Sequence, residues 1–459
     1  MKPLSVKELK AVIAGELTQG HDDMIIEQGA YRIKQVKKKN TVLFSKIKIL
    51  NWNDLKEFFP LVLVTNQELT ERDQIDQLSV ITVQDVDVAY WKFINYYRDL
   101  FEIPVIAVTG TSGKTTTKEM IKHILSKSKS TVSTDSTNNS RTAHLHYLLS
   151  IDDTTEAAVF ETAVGAPGDV LIAGKIFKPT IGIITNIGAH HLNYCKTIEA
   201  YISAKGEMLQ ALNNEGVLII NSNDENSKKV ELEKYNGRVI RVGMDSYCDY
   251  YAKDIKYINN GMQFVLRHKR KRYKTFVPGL GRHQVFNALA AIAAAHEVGI
   301  SLKKARKQLK TFQTFNKQLQ VFPGINNSII LDDTWSITTT SLEAALKVLK
   351  DLGKGKKTIA IVGTITDLGS WGNIVHKQAG TLIYEIGVDV LITIGEHARI
   401  MAEQALACGM TSSVYSFNNS ILANKLLKNI VDENTIILIK GDMYSQAIVD
   451  LAYSLRREK

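Results

Sequence analysis

Val105-Ile106-Ala107-Val108-Thr109-Gly110-Thr111-Ser112-Gly113-Lys114-Thr115-Thr116-Thr117 is the stretch whose reading sets the architecture. Four apolar residues run into a Gly/Ser/Thr turn, and Met120, Ile121, Ile124 and Leu125 then follow at helical spacing. A strand, a glycine loop and a helix in that order predict a phosphate cradle. The loop's N–H groups converge on one point, and the helix N-terminus adds partial positive charge there. Lys114 is expected to reach the outer phosphates of a nucleotide, and the Thr115 hydroxyl to bind Mg²⁺. Gly110, Thr111, Ser112, Gly113 and Thr116 complete the expected nucleotide loop. The full eight-residue motif has glycine where Val108 stands, so the chain carries a shortened form.

A length of 459 residues suggests about three domains, each able to bury its own core. The hydrophobic share of 44% and charged share of 23% are ordinary for a globular protein. The longest apolar candidate, Ala288 to Ala295, is an alanine-rich helical segment too short to span a bilayer. Residues 1–8 lack the apolar core of a signal peptide, and three scattered cysteines (Cys195, Cys248, Cys408) show neither a disulfide framework nor zinc spacing. The expectation is a cytoplasmic monomer with no stable membrane insertion. A net charge of +10 suits anionic metabolites or nucleic acid. Its densest run, Arg267 to Arg272, lies between two strand-like patterns and reads as an exposed hairpin tip. The lysine cluster 34–39 lacks the aromatic interleaving of single-strand binders. No nucleic-acid partner is expected.

The loop Thr-Gly-Thr-Ser-Gly-Lys-Thr-Thr-Thr, with Lys118-Glu119-Met120 behind it, resembles the Mur ligases, ATP-dependent enzymes that build amide bonds in cell-wall precursors. Within that family it resembles the MurF type, which adds D-alanyl-D-alanine. The resemblance runs over essentially the whole chain, strongest in residues 105–295. Ala157-Ala158-Val159-Phe160 ends at Glu161, a carboxylate at a strand's C-terminal end where a Mg²⁺ ligand is well placed. The family's Glu-Met-Gly matches at Glu161, while Thr162 and Ala163 replace Met-Gly. Asn186-Ile187-Gly188-Ala189-His190-His191-Leu192 resembles the family's Asn-Ile-Gly-x-x-His-Leu, which makes His191 a ligand of a second Mg²⁺. Lys205 falls at the lysine that Mur ligases carbamylate into an anionic metal bridge. Asn138 and Asn139 match an Asn-Asn pair in a substrate-contacting loop, although Thr142 and His144 stand where Gly and Pro are usual. Gly281-Arg282-His283-Gln284-Val285-Phe286-Asn287 resembles Gly-x-His-Asn-x-x-Asn, whose polar groups meet the adenine side of ATP. His283 and Asn287 match, and Gln284 replaces the first Asn.

The flanks match less. Residues 1–100 read as a small α/β substrate domain, but the family's Asp-Ser-Arg stretch is replaced by Gly29-Ala30-Tyr31-Arg32. In residues 313–459, four apolar strands ending in glycine or acid alternate with helical patterns, which predicts a doubly wound sheet. Asp333 matches on the nucleotide side, Lys440 matches and is expected to contact substrate, and His376 also matches. Trp335-Ser336-Ile337-Thr338-Thr339 replaces Tyr-Asn-Ala-Asn-Pro, and Lys317-Gln318 replaces a Gly-Arg whose arginine joins the closing domain to the nucleotide.

The expected fold is therefore α/β in three domains: 1–100 for substrate, 101–312 as a P-loop ATPase parallel-sheet core, and 313–459 as a Rossmann-like doubly wound unit. The expected cofactors are ATP and two Mg²⁺ ions, with Lys114, Lys205 and His191 as the catalytic set. The metal ligands would be Thr115, Glu161, His191 and carbamylated Lys205. By resemblance, the reaction is ATP-dependent joining of a small-molecule acid and amine through an acyl phosphate, with D-alanyl-D-alanine addition to UDP-N-acetylmuramoyl-tripeptide as the leading case. A paralogue that joins a different pair, and a nucleotide-binding regulatory protein, stay open as alternatives.

Overall fold

The computed structural model describes residues 1–48, 50–68, 75–135, 139–188, 192–410 and 413–457. Its described strands form sheets of five, nine and six strands, with a two-stranded ribbon near the start. The first sheet runs Glu16–Gln19, Leu78–Thr82, Leu61–Thr65, Thr41–Phe44, Gln28–Ala30. Only its Glu16–Gln19 edge is antiparallel. The helix Val86–Asp99 starts where Asp85 caps it, its carboxylate accepting from the N–H groups of Asp87 and Val88. Phe93 and Tyr97 on that helix share a core cluster with Phe160 and Phe177 of the central region, so apolar packing continues across residue 100.

The P-loop strand Val105–Thr109 is buried along all five residues and lies between Ala157–Glu161 and Ile181–Ile184. An apolar run without alternation suits this place, because both faces of a central parallel strand are covered. Leaving the strand, the helix Lys114–Leu125 buries Met120, Ile121, Ile124 and Leu125 completely. Burial of each such side chain stabilises the fold by about 1.5–3 kcal/mol. Beside it packs the helix Arg282–Glu297, whose alanines from Ala288 to Ala295 are small enough for close approach. The parallel core continues through Val217–Asn221, Arg238–Gly243 and Tyr250–Ile258, and then adds an antiparallel extension, Gly261–His268 and Lys271–Pro278. The basic run 267–272 forms the turn of that extension, the hairpin tip expected from its flanking patterns.

The six-stranded sheet runs Gln320–Pro323, Ile329–Asp333, Thr435–Lys440, Lys357–Gly363, Val390–Ile394, Val414–Phe417, and only the first strand is antiparallel. The four central strands are those legible in the sequence. The two edges are half-exposed four-residue strands whose apolar runs are too short to stand out. No described helix is long and apolar enough to cross a membrane.

Candidate active site

A cavity of about 370 Å³ lies where the nine-stranded sheet's C-terminal edge meets the six-stranded sheet. Thr111 to Thr116 line one side, and His283 and Asn287, one helical turn apart, line another. Gln318, Asp333, Trp335, Thr338, Ser341 and Lys440 close it from the C-terminal region. Gly110 lies behind this lining as the turn out of the strand. Gly113 begins the helix at φ 80°, and a Cβ there would stand 2.5 Å from Asn287 Oδ1, so only glycine allows the loop this close to Asn287.

Lys114 Nζ donates to the Thr111 carbonyl at 3.1 Å, folded back over its own loop. Burial lowers its pKa from the usual lysine value, and the charge of Glu161 opposes that shift. Thr115 Oγ1 donates to Glu161 Oε2 at 2.8 Å, and Asn139 Nδ2 donates to Glu161 Oε1 at 2.7 Å. Glu161 is 1% exposed, so its carboxylate is held in the interior by neutral donors. A hydroxyl oxygen beside a buried carboxylate is the donor pair that Mg²⁺ takes, with water and phosphate oxygens completing its shell. These residues fit that ion. Among the described residues, no group of three or more His, Cys, Asp or Glu could hold a metal by itself. The expected second ligand His191 and the expected substrate residue Asn138 lie outside the described residues.

Lys205 does not line the cavity. It is 1% exposed, with Nζ 4.5 Å from the centroid of the Tyr201 ring, and Thr111 Oγ1 donates to the Tyr201 hydroxyl at 3.4 Å. Burial, and then the neighbouring charge of Lys114, push its pKa well below the ordinary lysine value. That shift favours the neutral amine that carbamate formation requires.

His283 is pushed down to about 4 by burial and by Lys440, so it faces the cavity as a neutral imidazole near neutral pH. Lys440 Nζ donates to Asp333 Oδ2 at 2.6 Å and to the Ser336 carbonyl at 2.8 Å, with Asp333 directly opposite it in register. Asp333 Oδ1 accepts from the Leu319 N–H at 3.2 Å. Burial raises the Asp333 pKa, and Lys440 opposes the shift. Gln318 Oε1 accepts from Thr116 Oγ1 at 3.5 Å, which brings the residue in the arginine's place against the cradle. Lys317 is turned away, its Nζ 5.8 Å from the Tyr453 ring centroid. In this arrangement it does not line the cavity. His376 takes a structural place: Nε2 accepts from the Ile365 N–H at 3.1 Å, and Nδ1 lies 2.7 Å from the Gly372 carbonyl, which makes Nδ1 the protonated nitrogen.

Several cavity residues were not picked out from the sequence. Thr338 caps the helix Thr339–Leu352, accepting from the Ser341 N–H at 3.1 Å, and its hydroxyl shares a 3.2 Å hydrogen bond with Ser112 Oγ. The available signal was the Thr338-x-x-Ser341 cap pattern ahead of an apolar run. Asn186 stands at the start of the segment that carries His191. Its Oδ1 accepts from the Ser112 N–H at 3.0 Å, and its Nδ2 donates to the Ser112 carbonyl at 2.8 Å.

Comparison with known proteins is consistent with this geometry. Residues 108–295 match the Mur ligase middle domain, and residues 319–443 match the Mur ligase, glutamate ligase domain. The UDP-N-acetylmuramoyl-tripeptide–D-alanyl-D-alanine ligase of Bacillus subtilis is 30% identical over 332 residues, 72% of this chain and 70% of that protein. The Haemophilus influenzae enzyme of the same name is 28% identical over 402 residues, 86% of this chain and 85% of its own. In fold, MurF from Acinetobacter baumannii superposes with a TM-score of 0.82 at 23% identity, covering 99% of each chain. MurF from Thermotoga maritima, solved in complex with ADP, gives 0.76 at 19% identity over 93% of this chain and 97% of its own.

Proposed function

Because this chain belongs to the Mur ligase family of ATP-dependent peptide ligases, we propose that it adds D-alanyl-D-alanine to UDP-N-acetylmuramoyl-tripeptide. The observation that carries the reading is the cavity that joins Lys114, Thr115 and Glu161 to Asp333 and Lys440 from the other sheet. Relatives named for that reaction match along most of the chain. The boundaries 1–100, 101–312 and 313–459 are the working division into substrate, nucleotide and closing units.

In this mechanism a carboxylate oxygen of the acid attacks the γ-phosphorus of ATP, and the bond to the bridging oxygen breaks with release of ADP. The amine nitrogen then attacks the acyl carbon, phosphate leaves, and the nitrogen loses a proton. Positive charge around the transferring phosphoryl oxygens lowers the barrier. Lys114 supplies such charge from within the cradle, and the N-termini of the helices Lys114–Leu125 and Thr339–Leu352 supply donors. Thr115 and Glu161 would hold a Mg²⁺, which when bound neutralises phosphate charge. His191 and carbamylated Lys205 would hold a second. His283 and Asn287 would meet the adenine side, and Asn139 the substrate loop.

A second reading, a paralogue that joins a different acid and amine, draws support from the first domain. The Tyr31 and Tyr90 ring centroids lie 4.6 Å apart with the rings tilted by 49°, and both the Tyr31 hydroxyl and Lys46 Nζ bond to Asp87, a cluster unlike the family's Asp-Ser-Arg stretch. A phosphate-release assay over a matrix of acids and amines separates the two. Release that requires both UDP-N-acetylmuramoyl-tripeptide and D-alanyl-D-alanine establishes the first reading, and release with another pair selects the second.

A further inference from the structure

The phosphate loop is held from behind by the segment after the strand Ile181–Ile184. Thr185 Oγ1 donates to the Ser112 carbonyl at 2.7 Å, and the Thr111 N–H donates to the Asn186 carbonyl at 2.8 Å. The Gly188 N–H donates to Thr111 Oγ1 at 2.8 Å. Together with the two Asn186 amide contacts, these bonds fix both polar backbone groups of Ser112. The segment also receives the C-terminal region: a Cβ on Gly188 would stand 1.8 Å from Thr340 Oγ1, so the bare backbone there is what admits Thr340.

Ile187 is the one residue between Asn186 and Gly188, and both its backbone groups are gripped from a third place. Its N–H donates to Asp224 Oδ2 at 3.0 Å, and its carbonyl accepts from Asn226 Nδ2 at 2.8 Å. The gripping turn is itself tied. Asp224 Oδ2 also accepts from the Ser227 N–H at 2.8 Å and from Ser227 Oγ at 2.6 Å. Bonds to a charged acceptor are about twice as strong as neutral ones. The Ile187 side chain is 1% exposed in the core, so the segment is pinned on its apolar side as well.

We propose that Asp224 and Asn226 are positioning residues for the nucleotide: by clamping the Ile187 peptide they set Asn186 and Gly188, which in turn set Thr111 and Ser112. Neither residue lines the nucleotide cavity. The inference rests on the nucleotide loop and is independent of which acid and amine the enzyme joins.

The test is calorimetric titration of the full-length protein with ADP in the presence of Mg²⁺, each variant paired with a thermal melt. Asp224→Ala and Asn226→Ala are expected to weaken ADP about tenfold, roughly 1.4 kcal/mol, at a temperature where both are folded. Asp224→Asn keeps an acceptor oxygen and is expected to recover most of the affinity. Glu225→Ala, on the same turn but exposed and paired with Lys228 at 2.5 Å, is expected to bind like wild type. A turn that served stability alone would lower the melting temperature and leave ADP affinity unchanged. If Asp224→Ala does not fold, Asn226→Ala decides by itself. Affinity of the folded alanine variants within about twofold of wild type overturns the proposal, a change of roughly 0.4 kcal/mol.

Discussion

Ser112 Oγ and Thr338 Oγ1, 226 residues apart in the chain, share a hydrogen bond of 3.2 Å. The phosphate loop of one sheet thus touches the cap of the helix Thr339–Leu352 that starts from the other. Two helix N-termini face the same cavity, and each favours negative charge there. Thr338→Ala removes both the cap and the bridge. It is expected to cost about 1 kcal/mol of stability and to weaken ADP binding, whereas Thr338→Ser is expected to keep both. Denaturant unfolding and ADP titration of the two variants check this.

Lys114 donates its hydrogen bond to its own loop and contributes nothing to the buried stripe of its helix. Lys114→Ala is therefore expected to melt like wild type while losing catalysis. Removal of one principal electrostatic stabiliser costs about 3–4 kcal/mol in the transition state, a loss of several hundredfold in ADP formation. A folded variant with undiminished turnover would remove Lys114 from the mechanism.

Lys205 lies beside Tyr201, whose hydroxyl accepts from Thr111 of the cradle. If its amine carries a carbamate, Lys205→Ala loses activity and small carboxylic acids restore part of it by replacing the missing carboxylate. A dose-dependent recovery with acetate or formate in the phosphate-release assay is the expected result. Absence of recovery in a variant that still binds ADP would separate Lys205 from any carbamate role.

The cradle was legible because its signal is local. Gly113, Lys114 and Thr115 are adjacent in sequence, and the strand–loop–helix order alone brings them to one point. Glu161 was legible for the same reason, as the acid that ends a buried strand beside the cradle. Thr338 and Asn186 were harder. Their roles come from which loop meets which, and a polar residue at a strand end or helix start looks alike whether it faces solvent or Ser112. Lys440 shows a further limit. Its match to the family suggested a substrate contact, but only the register of Thr435–Lys440 against Ile329–Asp333 reveals Asp333 as its partner. The sheets themselves followed from long apolar runs, while the short edges Gln320–Pro323 and Val414–Phe417 and the cap that starts the helix at Val86 did not.

His376 accepts a backbone N–H at Nε2, so its folded form is the neutral imidazole, and burial lowers its pKa below the ordinary 6.5. Protonation would set a second N–H against the Ile365 N–H. The unfolded chain takes up a proton as pH falls through about 6.5 while the folded chain resists it, so stability is lost in that direction. His283 and His144, both pushed down to about 4, act with the same sign. The melting temperature is expected to fall from about pH 7 to about pH 5, and the slope is expected to be shallower in His376→Gln. An unchanged slope in that variant would show that His376 does not contribute to the loss.

Gln318 accepts from Thr116 Oγ1 at 3.5 Å, at the edge of the cradle where Mur ligases carry an arginine. A glutamine offers two donors and no charge, whereas a guanidinium offers a fixed fork and a permanent cation. A hydrogen bond to a charged group contributes about 1.5–3 kcal/mol. Gln318→Arg is therefore expected to tighten ATP binding by about tenfold or more, with the gain shrinking as salt is raised. Lys317 provides the contrast. Its Nζ faces the Tyr453 ring on the C-terminal side, and it does not line the cavity. Lys317→Ala is expected to leave ATP affinity within about twofold of wild type, a difference of roughly 0.4 kcal/mol. Titration of wild type and both variants with a non-hydrolysable ATP analogue reads these outcomes directly. A loss of affinity in Lys317→Ala would show that its side chain swings from Tyr453 to the nucleotide on binding. An unchanged affinity in Gln318→Arg would place residue 318 out of reach of the phosphates.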